Sequence, residues 1–221
     1  VLLKKLIFFF AKKKNLIFVP ISDPLVIDMR LMHLNHIILH DGHANNSPFE
    51  APKNEEGQML NVGYFGKLSE RKGLEILKFL DQQKEIDINL HVYSPNIDEY
   101  KSFSDKVVLG YIEHKDILKK METMDVLLLP IKAAQFRDYS RYTSPLKLFE
   151  YASVGRAIIL SDVASLRNLD FPQGVYFCNK NEDWISALKS IDEMKTHKNI
   201  ITLKEIKNWS KYYLWTNRVK K

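Results

Sequence analysis

Ser144-Pro145-Leu146-Lys147-Leu148-Phe149-Glu150-Tyr151-Ala152-Ser153-Val154-Gly155, followed by Ala157-Ile158-Ile159-Leu160, is the stretch whose reading decides the fold. The spacing predicts a helix capped by Ser144, with Pro145 in the first turn, where a missing N–H costs nothing. Gly155 supplies a left-handed stop, and the apolar run after it reads as a strand. Leu146, Phe149 and Val154 fall broadly on one face, so the helix has something to bury. Its open N-terminus offers unpaired N–H groups and the positive dipole end, which favour phosphate. Lys147 and Glu150 are three apart and share a face. At 1.5 Å per residue, Glu150 lies about 9 Å along the axis from Ser144, comparable to the span from a terminal phosphate to a ribose. A nucleoside diphosphate fits that layout. So does a plain buried helix with a surface ion pair worth about 0.2–0.5 kcal/mol.

Working outward, strands alternate with helices on both sides. Met59–Phe65 reads as a strand ending in Gly66-Lys67-Leu68-Ser69-Glu70-Arg71-Lys72-Gly73, and a helix follows from Leu74 to about Lys84. Asn89–Tyr93 and Lys106–Gly110 are strands, Asp116–Met124 a helix, Asp125–Pro130 a strand and 131–143 a loop. Beyond the opening stretch come the strand 157–161, a helix beginning near Asp162, the strand Val175–Cys178 and the helix Asn181–Glu193. An aromatic helix around Trp209, Tyr212, Tyr213 and Trp215 ends the chain. Continuous apolar strands between helices imply an α/β fold with a Rossmann-like parallel sheet covered on both faces.

The earlier part is less regular. Asn15–Ile21 reads as a buried strand, Ser22 or Asp23 with Pro24 opens a helix through Met32, and His36–Leu39 is a short strand running into Asp41-Gly42. Residues 44–58 are rich in polar breakers and read as a hinge or linker. Val1–Lys14 mixes apolar and basic residues; an internal helix and a segment lying on an anionic membrane both fit, and its nearly encircling apolar residues favour the first.

At 221 residues the chain has room for one full domain and part of another, and its start at Val1 implies truncation. Cys178 is alone, which excludes a disulfide framework and suits a reducing compartment. A net charge of +6 favours anionic partners: phosphate-bearing molecules, an anionic membrane face or nucleic acid. No base-reading motif accompanies the modest charge, so nucleic acid is set aside. His33, His36, His40 and His43 crowd together, but they span a helix end, a strand and a turn, which suits surface histidines better than a metal. Dinucleotide binding wants Gly-x-Gly-x-x-Gly after the first strand and an acid ending the second; Gly63-x-x-Gly66 and Tyr93 offer neither.

These motifs resemble family 4 (group 1) glycosyltransferases, retaining enzymes of the two-Rossmann-domain (GT-B) type. In that family a glutamate at the place of Glu150 holds the donor ribose, and the helix start, here Ser144, Pro145, Leu146 and Lys147, holds the diphosphate. The turn from Gly66 to Gly73 matches the family's glycine turn with two basic residues; Lys67 stands where arginine is more usual. The resemblance therefore casts Lys67 and Lys72 as the catalytic groups that stabilise the departing diphosphate. Gly110-Tyr111-Ile112 matches the segment carrying the base pocket, with Ile112 against the base. Tyr142 stands where the family often has a glutamate touching the donor sugar, and Arg156-Ala157 replaces the family's usual basic or small residue followed by proline.

The resemblance implies three parts: 1–45, the end of the acceptor-side domain; 46–205, the nucleotide-sugar-binding domain; and 206–221, a crossover helix. It implies hexosyl transfer from a nucleoside-diphosphate sugar to a cell-envelope glycan or lipid-linked acceptor, with retention. No Asp-x-Asp pair occurs, so neither metal nor cofactor is expected. The expected setting is cytoplasmic, with a peripheral contact to the inner membrane face left open. The competing expectation is a non-catalytic nucleotide-sugar-binding module or degenerate partner subunit.

Overall fold

The computed structural model describes residues 17–52, 58–100, 102–132, 141–142, 144, 146–194 and 197–218. The expectations for Val1–Lys14, Asn15, Leu16 and Pro145 lie outside these residues. Six strands form one sheet: β1 (Leu60–Phe65), β2 (Ile88–Tyr93), β3 (Val108–Gly110), β4 (Val126–Leu129), β5 (Ala157–Ser161) and β6 (Val175–Cys178). Their order is β3-β2-β1-β4-β5-β6, with every neighbouring pair parallel. β4 and β5 are buried at every position, as a sheet covered on both faces requires. The order reverses between β1 and β4, and the crevice beyond their carboxyl ends is where such sheets take ligands.

Helices follow from the same pattern: α1 (Asp23–Asp28), α2 (Leu74–Gln82), α3 (Ile117–Met121), α4 (Leu146–Val154), α5 (Asn181–Glu193), α6 (His197–Ser210) and α7 (Trp215–Arg218). α4 is the central one. It buries Leu148, Phe149, Tyr151, Ala152 and Val154. The expected face was partly wrong: Leu146 is 49% exposed, because the first turn of α4 points into the crevice rather than the core. Gly155 ends α4 at φ +67°, and a Cβ there would sit 2.9 Å from the Phe49 ring and 3.0 Å from the Leu203 carbonyl. Only glycine meets both constraints.

Several expectations fail for definable reasons. No helix begins near Asp162: residues 164–168 are turns closed by Leu166 N–H to Val163 O and Leu169 N–H to Leu166 O. The Asp162 carboxylate, instead of capping a helix, is held by Arg167 and Asn179. α1 stops at Asp28 because Arg30 is left-handed (φ 57°), leaving a single 3-10 turn over Leu31–His33. The strands at 17–21 and 36–39 reduce to a parallel bridge between Phe18 and His36, with Ile17, Val19 and Ile37 exposed. Among the described residues no third strand covers this pair, and two strands alone bury little.

The hinge region is fastened rather than free along residues 44–52. Asn45 donates to the Ser153 hydroxyl at 3.0 Å, and Phe49 packs on Gly155. Arg156 completes the junction. It is 1% exposed and donates to the carbonyls of Glu50 (2.8 Å), Glu122 (2.6 Å), Met124 (3.0 Å) and Val154 (3.1 Å). One guanidinium thus ties four points of the chain. Replacing Arg156 with Met keeps the apolar stem but orphans these acceptors, so urea denaturation is expected to show a loss of about 2–4 kcal/mol. A loss below about 0.5 kcal/mol would contradict that role.

Candidate functional site

Three cavities open at the crevice, and all three share Lys147. The largest, about 350 Å³, lies between the ends of β1 and β4 and is lined by Tyr64, Phe65, Gly66, Lys72, Leu129, Pro130, Ile131, Ser144, Leu146, Glu150, Tyr151 and Asp41 besides Lys147. A second, about 210 Å³, is flanked by Tyr93, Pro95, Tyr111, Ile112 and Ile117, an aromatic and apolar slot. A third, about 240 Å³, lies behind Glu150 and is lined by His43, Asn45, His114 and Ile117 among others.

The structure therefore brings together Gly66, Lys72, Ser144, Leu146, Lys147 and Glu150, with Ile112 next door. It sets two expected residues apart. Lys67 is exposed and lines none of the three cavities. The Tyr142 hydroxyl donates to Asp28 at 2.7 Å, beside an ion pair between Asp28 and Arg141, and Tyr142 lines none of the three cavities either. Pro145 lies outside the described residues. Asp41, Tyr64, Tyr151 and His43 were missed, because only the fold brings residues so distant in sequence to one crevice.

Local chemistry explains how each group is held. Tyr151 is fully buried, and its hydroxyl accepts the Phe65 N–H at 3.1 Å and lies 3.4 Å from the Phe65 carbonyl. Burial pushes its pKa upward, so it stays a neutral tie between α4 and β1. Gly73 (φ +67°) lets the turn after β1 press on Pro130: a Cβ there would meet the proline Cβ at 2.4 Å. That contact brings Lys72 to the cavity. The Gly66 amide, by contrast, is already bonded to the Tyr93 carbonyl at 3.0 Å. Ser144, expected as a helix cap, accepts the Asp41 N–H at 2.8 Å. Its hydroxyl fastens the segment before the hinge to the start of α4.

The electrostatics favour an anion. Lys72 is half-buried, and burial depresses its pKa, with the like charges of Lys147, Arg71 and Lys67 pushing the same way. No carboxylate counters these effects at Lys72 among the described residues. Lys147 reaches Glu150 at 2.7 Å, a partly buried i,i+3 pair at the meeting point of the cavities. Asp41 is the other carboxylate on the large cavity. Burial raises its pKa, opposed by Ser144 and Arg218. Among the described residues no three of His, Cys, Asp and Glu gather as metal ligands, and no helix is long and apolar enough to cross a membrane.

No protein-family model and no curated protein matches the sequence. The fold does have solved counterparts. The Anabaena protein HepE, in complex with UDP-glucose, is 11% identical with a TM-score of 0.63, over 89% of this chain and 59% of that one. Sucrose-phosphate synthase from Thermosynechococcus elongatus is 14% identical with a TM-score of 0.67, over 90% and 54%. The lipopolysaccharide outer core galactosyltransferase WaaB is 15% identical with a TM-score of 0.68, over 91% and 59%. This chain thus spans under three fifths of the length of these three structures. At such identities the likeness is one of fold: the Rossmann-like α/β architecture of GT-B glycosyltransferases.

Lys72, half-buried at the cavity wall with only like charges acting on it, predicts phosphate binding before any nucleotide is considered. Calorimetry with inorganic pyrophosphate is expected to show binding that Lys72→Ala weakens by about 1.5–3 kcal/mol, the scale of charge-assisted hydrogen bonds. Lys67→Ala, exposed and off the cavity, is expected to cost less. Equal losses, or none, would contradict this placement of the anion.

Proposed function

We propose that this chain is the donor-binding part of a glycosyltransferase that takes a nucleoside-diphosphate sugar. The observation that carries the reading is the convergence of three cavities on Lys147, two of which also share Glu150. One is cationic, one apolar and aromatic, one lined by hydrogen-bond acceptors. The diphosphate belongs against Lys72, Lys147 and the start of α4, with Lys67 adding longer-range potential. The base belongs in the slot of Tyr93, Tyr111 and Ile112. The ribose belongs at Glu150, where a carboxylate accepts its hydroxyls. The likeness in fold to a protein solved with UDP-glucose supports this arrangement.

In the proposed reaction the sugar–phosphate bond breaks and its electron pair stays on the diphosphate oxygen. Lys72 and Lys147 stabilise that charge as it develops. The acceptor hydroxyl gives its proton to the departing phosphate oxygen on the same face, so configuration is retained. The transferred group is a hexosyl unit and the acceptor a cell-envelope glycan or lipid-linked sugar, handled at the cytoplasmic side with a peripheral membrane contact. No metal is assigned a role, and transfer is expected to survive EDTA. Residues 1–45 belong to the acceptor side, 46–205 to the donor side and 206–221 to a crossover between them.

Tyr142 favours a second reading. It stands where the resembled family has a sugar-binding carboxylate, and its hydroxyl is spent on Asp28. A module that binds nucleotide sugar without transferring it would tolerate that loss.

Glu150→Gln separates a working site from a structural helix. It keeps shape and one acceptor but removes the charge. UDP affinity is expected to fall by about 1.5–3 kcal/mol, with thermal stability near that of the wild type. 2′-deoxy-UDP should bind the native protein poorly and lose much less. If Glu150 serves only Lys147, UDP affinity stays unchanged and stability drops by a few tenths of a kcal/mol.

A further inference from the structure

The 240 Å³ cavity behind Glu150 is lined by two residues, His43 and Glu150, that each carry a buried polar atom without a hydrogen bond among the described residues. Nδ1 of His43 and Oε2 of Glu150 are buried and have no hydrogen-bond partner among the described residues. The Lys147 ammonium is close to that oxygen at 2.7 Å, but as an ion pair without a directed hydrogen bond. Buried polar atoms are nearly always paired, so two orphans on residues lining one cavity call for an outside partner.

His43 can be given a tautomer. Its Nε2 lies 2.9 Å from the Ser210 carbonyl, which only accepts, so Nε2 carries the hydrogen. Burial depresses the ring's pKa, against backbone contacts to Ser210 and Asn45 that raise it, and Nδ1 makes no well-formed hydrogen bond of its own. The ring is 4% exposed and cannot swing away. Its own N–H donates to the Tyr213 carbonyl at 3.0 Å, and its carbonyl accepts from Trp215 at 3.1 Å. The glycine before it is wedged: a Cβ on Gly42 would meet the Tyr213 carbonyl at 2.4 Å. The fold therefore holds the ring fixed at the cavity wall.

Both orphan atoms are acceptors, so the missing partner is a pair of donors. A vicinal diol supplies two O–H groups on adjacent carbons. The cavity also shares His114, Ile117 and Lys147 with the aromatic slot, and Lys147 and Glu150 with the cationic one. It therefore sits where a sugar lying between a base and a diphosphate would fall. We propose that His43 is a specificity-determining residue that accepts one hydroxyl of the nucleotide's ribose through Nδ1, while Glu150 accepts the other. This rests on the nucleotide reading above and deepens it. His43 comes from the segment before the hinge and is clamped by the C-terminal helix. Selection of a ribonucleotide is thereby tied to the packing of both ends of the chain.

The test uses His43→Gln, whose amide can still donate to the Ser210 carbonyl but leaves no acceptor at the Nδ1 position. Thermal melting near the wild-type temperature checks that the clamp survives. Calorimetry then compares UDP, 2′-deoxy-UDP and 3′-deoxy-UDP. UDP affinity is expected to fall about 2- to 13-fold, the range of one neutral hydrogen bond. The fall should vanish for whichever deoxy analogue lacks the hydroxyl His43 holds, and persist for the other. An equal fall for all three ligands, or none for UDP, overturns the role of His43 even where Glu150→Gln weakens UDP as described above. If wild-type protein does not bind UDP at all, the nucleotide reading fails and this inference falls with it. Should the variant melt well below wild type, His43→Phe, which keeps a ring and has no acceptor, is measured on the same three ligands. The same discrimination between the deoxy analogues is then required.

Discussion

Burial of one side of α4 is the constraint on which the crevice depends. Phe149 is fully buried, stacks on Tyr213 at 4.4 Å between ring centres and lies 6.1 Å from Trp209. Tyr151 is pinned to the end of β1 through its hydroxyl. Each such side chain stabilises the seat by about 1.5–3 kcal/mol through apolar burial alone. With that side fixed, helical spacing leaves Lys147 and Glu150 no choice but to face the crevice. The hydrophobic packing of the helix and the polarity of the site are two consequences of one register. The C-terminal segment shares in this, since it supplies Trp209 and Tyr213 to the seat and also clamps His43.

The Lys147–Glu150 pair is where the bland and the functional readings of the helix meet. It exists in the structure, and exposed pairs of this kind contribute little. What distinguishes it is position. Lys147 is close enough to Lys72 to depress its affinity for a proton, so this part of the crevice carries positive charge that a diphosphate would neutralise. On the proposed reading an incoming diphosphate draws Lys147 toward itself and releases Glu150 to accept ribose hydroxyls. On that reading the charge of the diphosphate is met by side chains and by the N-terminus of α4.

Much of this was legible in the sequence wherever a local rule acts alone. The apolar runs Val126–Leu129 and Ala157–Ser161 announce buried parallel strands, and Gly155 announces a left-handed stop that the structure adopts. Lys72, in the turn Gly66–Gly73, and Glu150, in the second turn of the helix, were singled out through the family resemblance. Other features depend on contacts that a linear reading does not contain. Leu146 looks like a core residue by type and period, but the first turn of α4 has no core beneath it. Asp162 looks like a cap, yet Arg167 and Asn179 claim its carboxylate first. Arg156 reads as an ordinary basic residue until five carbonyls, that of Gly155 included, converge on it. His43 belongs to a histidine cluster that suggested surface groups or a metal. Its actual environment is set by Ser210 and Tyr213, more than 160 positions away.

The central claim is that one crevice, built around α4, binds a nucleoside diphosphate. Amide hydrogen exchange with and without saturating UDP addresses it directly, because it reports every segment at once. The account predicts slowed exchange in Gly66–Gly73, Tyr111–Ile117, Ser144–Glu150 and Asp41–Asn45, with the outer strands and α5 unchanged. Protection centred elsewhere, or exchange unaltered by UDP, would contradict it.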